Sequence, residues 1–267
     1  MCIRDRNIAA SIKRQLTPRT EKRKEKVLYF SEAGKPCSRA LWYGLHDTEK
    51  EPLQPHTLIK FMYGDLLEEL LAYLVKVAGH EVTDEQKQCK IALPKGWTLS
   101  GRMDYKIDGV TVDAKSASTY AFGKFRDGTL PENDPFGYMT QLANYAIHEN
   151  DFNDVGFLAI EKQNGHLCLY QPDTMDLAAS IPDWDELVDE LEASVPPERA
   201  YKDKPYGASG NRCLEMECSY CAYKKECWRD ANGGTGLRLF LYKQGNGTRP
   251  VYLTQTAQEP KVPEAEF

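Results

Sequence analysis

Apolar residues recur at helical spacing over roughly residues 57–78. Leu58, Phe61, Met62, Leu66, Leu70 and Leu74 share one predicted face, and Gly79 supplies a stop. Downstream the period shortens to two. Stretches near 88–93, 98–107 and 110–116 read as strands, with Asp108-Gly109 between the last two as a two-residue hairpin turn. Asp134-Pro135 has the form of an N-cap followed by proline at the first helical position, which predicts a helix running to about Glu149. Val155–Lys162 and His166–Tyr170 form a second predicted hairpin across Asn164-Gly165. Trp184, Leu187, Val188 and Leu191 mark a helix that Pro196-Pro197 ends. A shorter helix is expected from Cys37 to Asp47, with Leu41, Trp42 and Leu45 on one side. A glycine-rich break at 233–236 precedes a last hairpin, 237–243 with 249–255. Residues 1–26 are polar, basic and without apolar period, and are expected to form a disordered arm. The expected organisation is therefore an arm (1–26), a folded domain (27–231), and a break, hairpin and polar tail (232–267).

The hairpin around Asp108-Gly109 holds the most informative pattern. With a two-residue turn, Ile107 pairs with Val110, Asp104 faces Asp113, and Arg102 faces Lys115. Alternation puts these four on one face with Lys106 and Thr111. Met103, Tyr105, Ile107, Val110, Val112 and Ala114 make the opposite, apolar face, which belongs against a core. Two carboxylates directly opposed, about 5 Å apart at Cβ, repel one another. A divalent cation between them would remove the repulsion. Screening by Arg102, Lys106 and Lys115 on a half-solvated face is the competing explanation.

Composition narrows the class further. Hydrophobic residues make up 41% of the 267, enough for a core, and no apolar run has the length of a membrane span, so a soluble, cytoplasmic protein is expected. The net charge of −6 is unevenly distributed. Residues 1–30 contain nine Lys/Arg against three Asp/Glu, a balance of +6, which leaves −12 for the rest. An acidic total argues weakly against nucleic acid as a partner but does not exclude it, because a metal-dependent phosphodiesterase needs acid at its centre. Of the eight cysteines, Cys213, Cys218, Cys221 and Cys227 crowd together, and the spacing Cys218-x2-Cys221-x5-Cys227 is that of metal-binding thiolates. The fourth ligand could be the nearby Cys213 or the distant Cys37. Cys2, Cys89 and Cys168 read as incidental.

Asp104 followed by Asp113-Ala114-Lys115 resembles the Asp…(Asp/Glu)-x-Lys signature of PD-(D/E)XK nucleases, with Met103 in place of the proline and Asp as the second acid. Gly64-Asp-Leu-Leu-Glu68 resembles the Gly-x-x-x-Glu motif of that family's first core helix. Gln141-Leu-Ala-Asn-Tyr145 resembles the Gln-x-x-x-Tyr motif of its RecB-like branch. The resemblance runs from Cys37 to Cys227 and rests on the order of these motifs more than on any one of them. It implies an α/β fold with a restriction-endonuclease-like core, a mixed β-sheet flanked by helices, and a cysteine-rich iron–sulfur appendage. Asp104, Asp113, Glu68 and the Ala114 carbonyl would hold one or two Mg²⁺ or Mn²⁺ ions, with Lys115 positioning and activating water and Gln141 and Tyr145 supporting the scissile strand. One cysteine before the core and three after it is the layout of the iron–sulfur members. On that layout Cys37, Cys218, Cys221 and Cys227 would hold a [4Fe–4S] cluster; zinc also accepts four thiolates.

The resemblance thus implies hydrolysis of DNA, by an exonuclease acting on single strands or DNA ends, in a bacterial cell or one infected by a phage. Recombination or replication proteins are the expected partners, and no membrane. A structure-specific endonuclease of the same fold and a non-catalytic DNA-binding module are the alternatives. None of His46, His56, His80, His148 and His166 has ligand or triad spacing, and no phosphate-loop motif occurs. Tyr120, Phe122, Lys124, Phe125 and Arg126 mix rings and cations as single-strand-binding surfaces do, although ordinary packing accounts for the same pattern.

Overall fold

The computed structural model describes residues 25–245 and 247–266, so the expected arm lies, up to residue 24, outside the described residues. The fold is mixed α/β, and the described residues divide into two compact units, 25–36 with 53–189, and 37–52 with 190–266. No helix among the described residues is long and apolar enough to cross a membrane.

The first unit contains two sheets. In the smaller, β1 (Val27–Tyr29) runs parallel to β4 (Thr98–Arg102), which pairs antiparallel with β3 (Gln88–Ala92). The larger has the order β2-β5-β6-β7-β8, with β2 Val82–Thr83, β5 Tyr105–Ile107, β6 Val110–Ala117, β7 Val155–Glu161 and β8 Leu167–Tyr170. Its neighbours are antiparallel except for β6 and β7, which are parallel and joined by a crossover. Every residue of β7 is buried, as the centre of a sheet covered on both faces requires. Three helices pack against this larger sheet: α1 (Pro55–Val77), and, within the crossover, α2 (Thr119–Arg126) and α3 (Tyr138–Glu149).

The two-residue turn is present, with Asp108 and Gly109 both at positive φ, and the ladder pairs Ile107 with Val110, Lys106 with Thr111 and Tyr105 with Val112. It stops there. The strand expected over 98–107 is interrupted at Met103–Asp104, and the chain passes from the smaller sheet to the larger at that point. Arg102 therefore pairs with Gln88, and the expected facing of Arg102 with Lys115 does not occur. Met103 is fully buried and its N–H donates to the Lys87 carbonyl (2.9 Å), while the Gln86 N–H donates to the Asp104 carbonyl (2.9 Å). These bonds give the interrupted backbone the partners a continuous ladder would have supplied.

The apolar face of the hairpin packs as expected. Tyr105, Ile107, Val110, Val112 and Ala114 join Leu158 and Ile160 against Leu67, Leu71 and Ala72 of α1. The expected polar face is divided: Thr111 and Asp113 are buried, Asp104, Lys106 and Lys115 are partly buried, and Arg102 is exposed. The expected face of α1 is also displaced. Leu58 is buried, but Phe61, Met62, Leu66, Leu70 and Leu74 are exposed, and Leu67, Leu71 and Ala72 face the sheet. Apolar residues occupy most sides of this helix, so spacing alone does not select the side that meets the sheet.

α3 starts at Tyr138, later than the Asp134-Pro135 signal indicated. Asp134 still acts as a cap, its Oδ2 accepting from the Met139 N–H at 2.7 Å. Gly137 occupies the N-cap position at φ 74, and a Cβ there would meet the Gly34 carbonyl carbon at 2.4 Å. Only glycine fits both the conformation and the contact.

In the second unit, β9 (Lys204–Tyr206), β10 (Asn211–Cys213), β11 (Arg238–Gln244), β12 (Gly247–Gln255) and β13 (Glu264–Ala265) form a sheet of order β13-β11-β12-β10-β9. The last predicted hairpin is the β11–β12 pair, and its core is Cys213, Phe240, Val251 and Leu253. The expected short helix spans Ser38–Leu45, with Cys37 at its N-cap.

Candidate functional site

β6 runs five residues beyond its last partner in β5, leaving a free edge from Asp113 onward. The Ala114 N–H on that edge donates to Asp104 Oδ2 (2.7 Å), so the aspartate at the strand break takes the place of the absent ladder partner. Asp113 is fully buried. Its Oδ1 accepts from Gln141 Nε2 (3.1 Å), and Lys115 Nζ lies 2.5 Å from its Oδ2, an ion pair without an aligned hydrogen bond. Asp113 and Lys115 are two residues apart on one strand and so share a face, the face that α3 covers.

From α3, Gln141 touches three of these groups. Besides Asp113, its Nε2 donates to the Tyr145 hydroxyl oxygen (3.3 Å), and its Oε1 accepts from Lys115 Nζ (3.4 Å). The Tyr145 hydroxyl donates to the Arg102 carbonyl (2.7 Å), which ties α3 to the end of β4. The i, i+4 spacing places both side chains on one helical face. α1 contributes Glu68, half-buried, whose Oε1 accepts from Gln86 Nε2 (2.6 Å); its neighbour Glu69 is exposed. All seven residues named from the sequence thus come from one region of the first unit.

The electrostatics of this cluster are unbalanced. Asp104 retains some exposed surface but is enclosed closely enough by protein that desolvation dominates. With the Asp113 charge adding to it, its carboxyl is pushed up to about 8, against the opposing pull of Lys115. Burial likewise raises Asp113, and Lys115 opposes that shift. Glu68 is raised by burial and then by Asp113 and Asp65. Lys115 is raised although burial alone would lower it, because Asp113 and Asp104 hold its charge. Three carboxyls around one ammonium leave negative charge that either a proton or a cation can neutralise. As the side chains stand, no three His, Cys, Asp or Glu groups among the described residues close around a common point as metal ligands.

Two neighbours of this site carry no signal in the sequence motifs. Gln86 orients Glu68 from a loop with no pattern of its own. Tyr138 lies one helical turn before Gln141, and its ring centre is 4.8 Å from Lys115 Nζ; the i, i+3 spacing from Gln141 is the signal that could have found it. The expected ring-and-cation stretch divides: Phe122 and Phe125 are core, whereas Tyr120, Lys124 and Arg126 face outward. Among the histidines, His80 pairs with Asp108 (2.6 Å) and His166 with Glu161 (3.0 Å), both outside the carboxylate cluster.

The second unit contains the cysteine cluster. Cys37, Cys218, Cys221 and Cys227 are all partly buried, and no disulfide joins them. Burial pushes the Cys218 thiol up to about 12, with Cys221, Cys227 and Cys37 contributing in that order. The Cys221 thiol is also raised by burial and by Cys37 and Cys227, while the Tyr223 N–H, donating to its Sγ (3.4 Å), opposes the shift. The four thiols are therefore electrostatic neighbours. Cys213 is buried in the β-sheet core, and burial raises its thiol against the opposing pull of Lys204. Cys89 and Cys168 lie in β3 and β8, and Cys2 lies outside the described residues.

No family model matches the chain, and no curated protein does. Among solved structures, the chain is similar to one described as "Crystal structure of SSO0001", at 17% identity and a TM-score of 0.47, over 76% of this chain and 86% of that one.

Proposed function

We propose that this chain is a metal-dependent nuclease that hydrolyses DNA phosphodiester bonds, of the PD-(D/E)XK, RecB-like kind that its sequence resembles. The observation that carries the reading is the cluster of Asp104, Asp113 and Glu68 around Lys115, with Asp113 fully buried and each carboxyl raised by burial. Such an arrangement is costly without a counter-charge, and hard oxygen donors of this type suit Mg²⁺ or Mn²⁺. Asp104, Asp113, Glu68 and the Ala114 carbonyl would hold one or two such ions. When bound, the ion supplies Lewis acidity at the phosphate and lowers the pKa of the attacking water.

The chain's own residues account for positioning. Gln141 fixes the Asp113 carboxylate and Lys115 at once, and Tyr145 anchors Gln141 to the β4 end. Lys115 lies beside Asp113 and within reach of Gln141, where it would orient water and stabilise charge on the phosphate. Gly64 leaves the space beside β6 open: a Cβ there would meet only Ser116 Oγ, at 3.9 Å. We assign that opening to the sugar–phosphate backbone of the substrate, single-stranded DNA or a DNA end.

Cys37, Cys218, Cys221 and Cys227 would hold a [4Fe–4S] cluster as a structural staple of the second unit, zinc being the other metal that accepts four thiolates. Protein purified without oxygen should carry iron, acid-labile sulfide and a broad visible absorbance; zinc alone, with no sulfide, would replace the cluster reading.

The nuclease reading is tested with end-labelled single- and double-stranded DNA and covalently closed circles, in Mg²⁺, Mn²⁺ or EDTA. Metal-dependent degradation of ends that is lost in Asp113→Ala and Lys115→Ala is the expected result. Cutting of closed circles would make it an endonuclease. A folded protein that binds DNA in Mg²⁺ and Mn²⁺ and never cuts it would overturn the catalytic reading in favour of a binding module.

A further inference from the structure

Phe136 is 60% exposed, yet it is not a loose side chain. Its ring stacks on Tyr138 (centroids 5.4 Å apart, 24° between planes), and Tyr138 stacks in turn on Phe125 (6.3 Å, 27°). Phe125 is core, 2% exposed, and packs edge-on against Phe157 of β7 (5.4 Å, 67°). Three rings thus form a column anchored in the core, with a bare aromatic face at its outer end. The middle ring is the one beside Lys115 Nζ, at 4.8 Å.

The backbone that carries Phe136 is held from three sides. Gly137 is pinned against Gly34, Asp134 Oδ2 takes the Met139 N–H, and the Gly137 N–H donates to the Asp134 carbonyl (3.3 Å). Lys124 of α2 reaches the same loop, its Nζ donating to the Asn133 carbonyl (2.7 Å) and lying 5.4 Å from the ring centre of Tyr120, which is 75% exposed. A rigid exposed ring, a second exposed ring and an ammonium beside them provide the stacking and phosphate contacts by which single strands are bound.

We propose that Phe136 is the platform on which an unpaired nucleobase stacks, continuing the Phe125–Tyr138–Phe136 column, in a strand whose phosphate lies at Lys115. The placement of that phosphate rests on the nuclease reading. Bases inside a duplex have both faces covered by their neighbours, so the platform selects a frayed end or a single strand. Because every base has a π face, it selects without regard to sequence.

The test uses the full chain in EDTA, with oligonucleotides carrying 2-aminopurine at successive positions from each end, whose fluorescence falls on stacking. Wild-type protein should quench the probe at one position. Phe136→Leu, which keeps apolar bulk but has no π face, should lose that quenching and bind single strands about tenfold more weakly (~1.4 kcal/mol). Phe136→Tyr should restore both, and binding of a relaxed, covalently closed duplex circle, which has no ends and no unpaired bases, should change less than twofold in either variant. Unchanged quenching in Phe136→Leu, or equal weakening on single strand and duplex, would overturn the platform. The two readings separate cleanly. Metal-dependent cleavage with no effect at Phe136 leaves the nuclease and removes the platform; quenching that depends on Phe136, in a protein that never cleaves, does the reverse.

Discussion

Asp104 and Asp113 repel one another in a space that also disfavours each charge singly, and this has a measurable consequence for the metal-free protein. The folded Asp104 carboxyl sits near 8, well above the ordinary carboxylate value. Between roughly pH 4 and that value the folded state therefore binds a proton that the unfolded chain has released, and stability falls as pH rises through the window. Asp104→Asn keeps an acceptor for the Ala114 N–H and removes the charge. In EDTA it should melt above wild type at pH 8.5 and together with it at pH 4, by about 2–4 °C for each kcal/mol relieved. A variant less stable than wild type at pH 8.5 would contradict the charge argument. Glu68 and Glu69 make a second test, since adjacent residues of one type differ here in burial. Glu68→Gln should weaken Mg²⁺ binding in calorimetric titration by tenfold or more, and Glu69→Gln should leave it unchanged.

Elements place these residues through where they stop as much as through where they run. β5 ends three residues from its turn, and the free edge of β6 that results is where Asp104 and the Ala114 N–H meet. A β5 that continued would pair Ala114 through its backbone and leave Asp104 no such role. Two glycines show how differently the elements depend on a missing side chain. Gly137→Ala should cost about 1–3 kcal/mol, from its positive φ, and more from the contact with Gly34, read as a lower denaturant midpoint. Gly64→Ala has ordinary contact distances on α1 and should stabilise the helix by ~0.5–1 kcal/mol, while Gly64→Leu should fold and cut DNA poorly if the opening beside Ser116 takes the substrate backbone. The hairpin turn, the β7–β8 pair and the final hairpin are legible in the sequence because each depends on a local turn and a period of two. The side of α1 that meets the sheet is not legible. Leu66 and Leu70 are as apolar as Leu67 and Leu71, and only the position of the sheet distinguishes them.

At the scale of the whole chain, residues far apart in sequence meet within each unit. Cys37 lies about 180 positions before Cys218, and both belong to the second unit with Cys221 and Cys227. A metal held by the four would bridge that separation, and because such a site exists only in the folded chain, its binding free energy would add to the stability of the second unit. Cys218→Ser should therefore abolish the visible chromophore and lower the melting temperature of the second unit. Cys213→Ser should leave the chromophore intact and cost only packing in the β-sheet core. Equal loss of chromophore in both would place Cys213 among the ligands.

Taken alone, the sequence determined the chemistry on offer: a Glu, an Asp, an Asp-x-Lys and a Gln-x-x-x-Tyr in that order, and three thiols at metal-ligand spacing with Cys213 and Cys37 as candidates for a fourth. It also determined the register of the Asp108-Gly109 hairpin, because a two-residue turn leaves one pairing. Tertiary structure decided what those groups experience. It interrupted the strand at Met103–Asp104, buried Thr111 and Asp113 on a face that alternation marks only as polar, and set Gln86 and Tyr138 beside Glu68 and Lys115. It also brought Cys37 within electrostatic reach of Cys218 and Cys221, and buried Cys213 in the β-sheet core. Periodicity is a property of neighbours along the chain, whereas burial and charge depend on everything within a few ångströms, and that is settled only when the chain has folded.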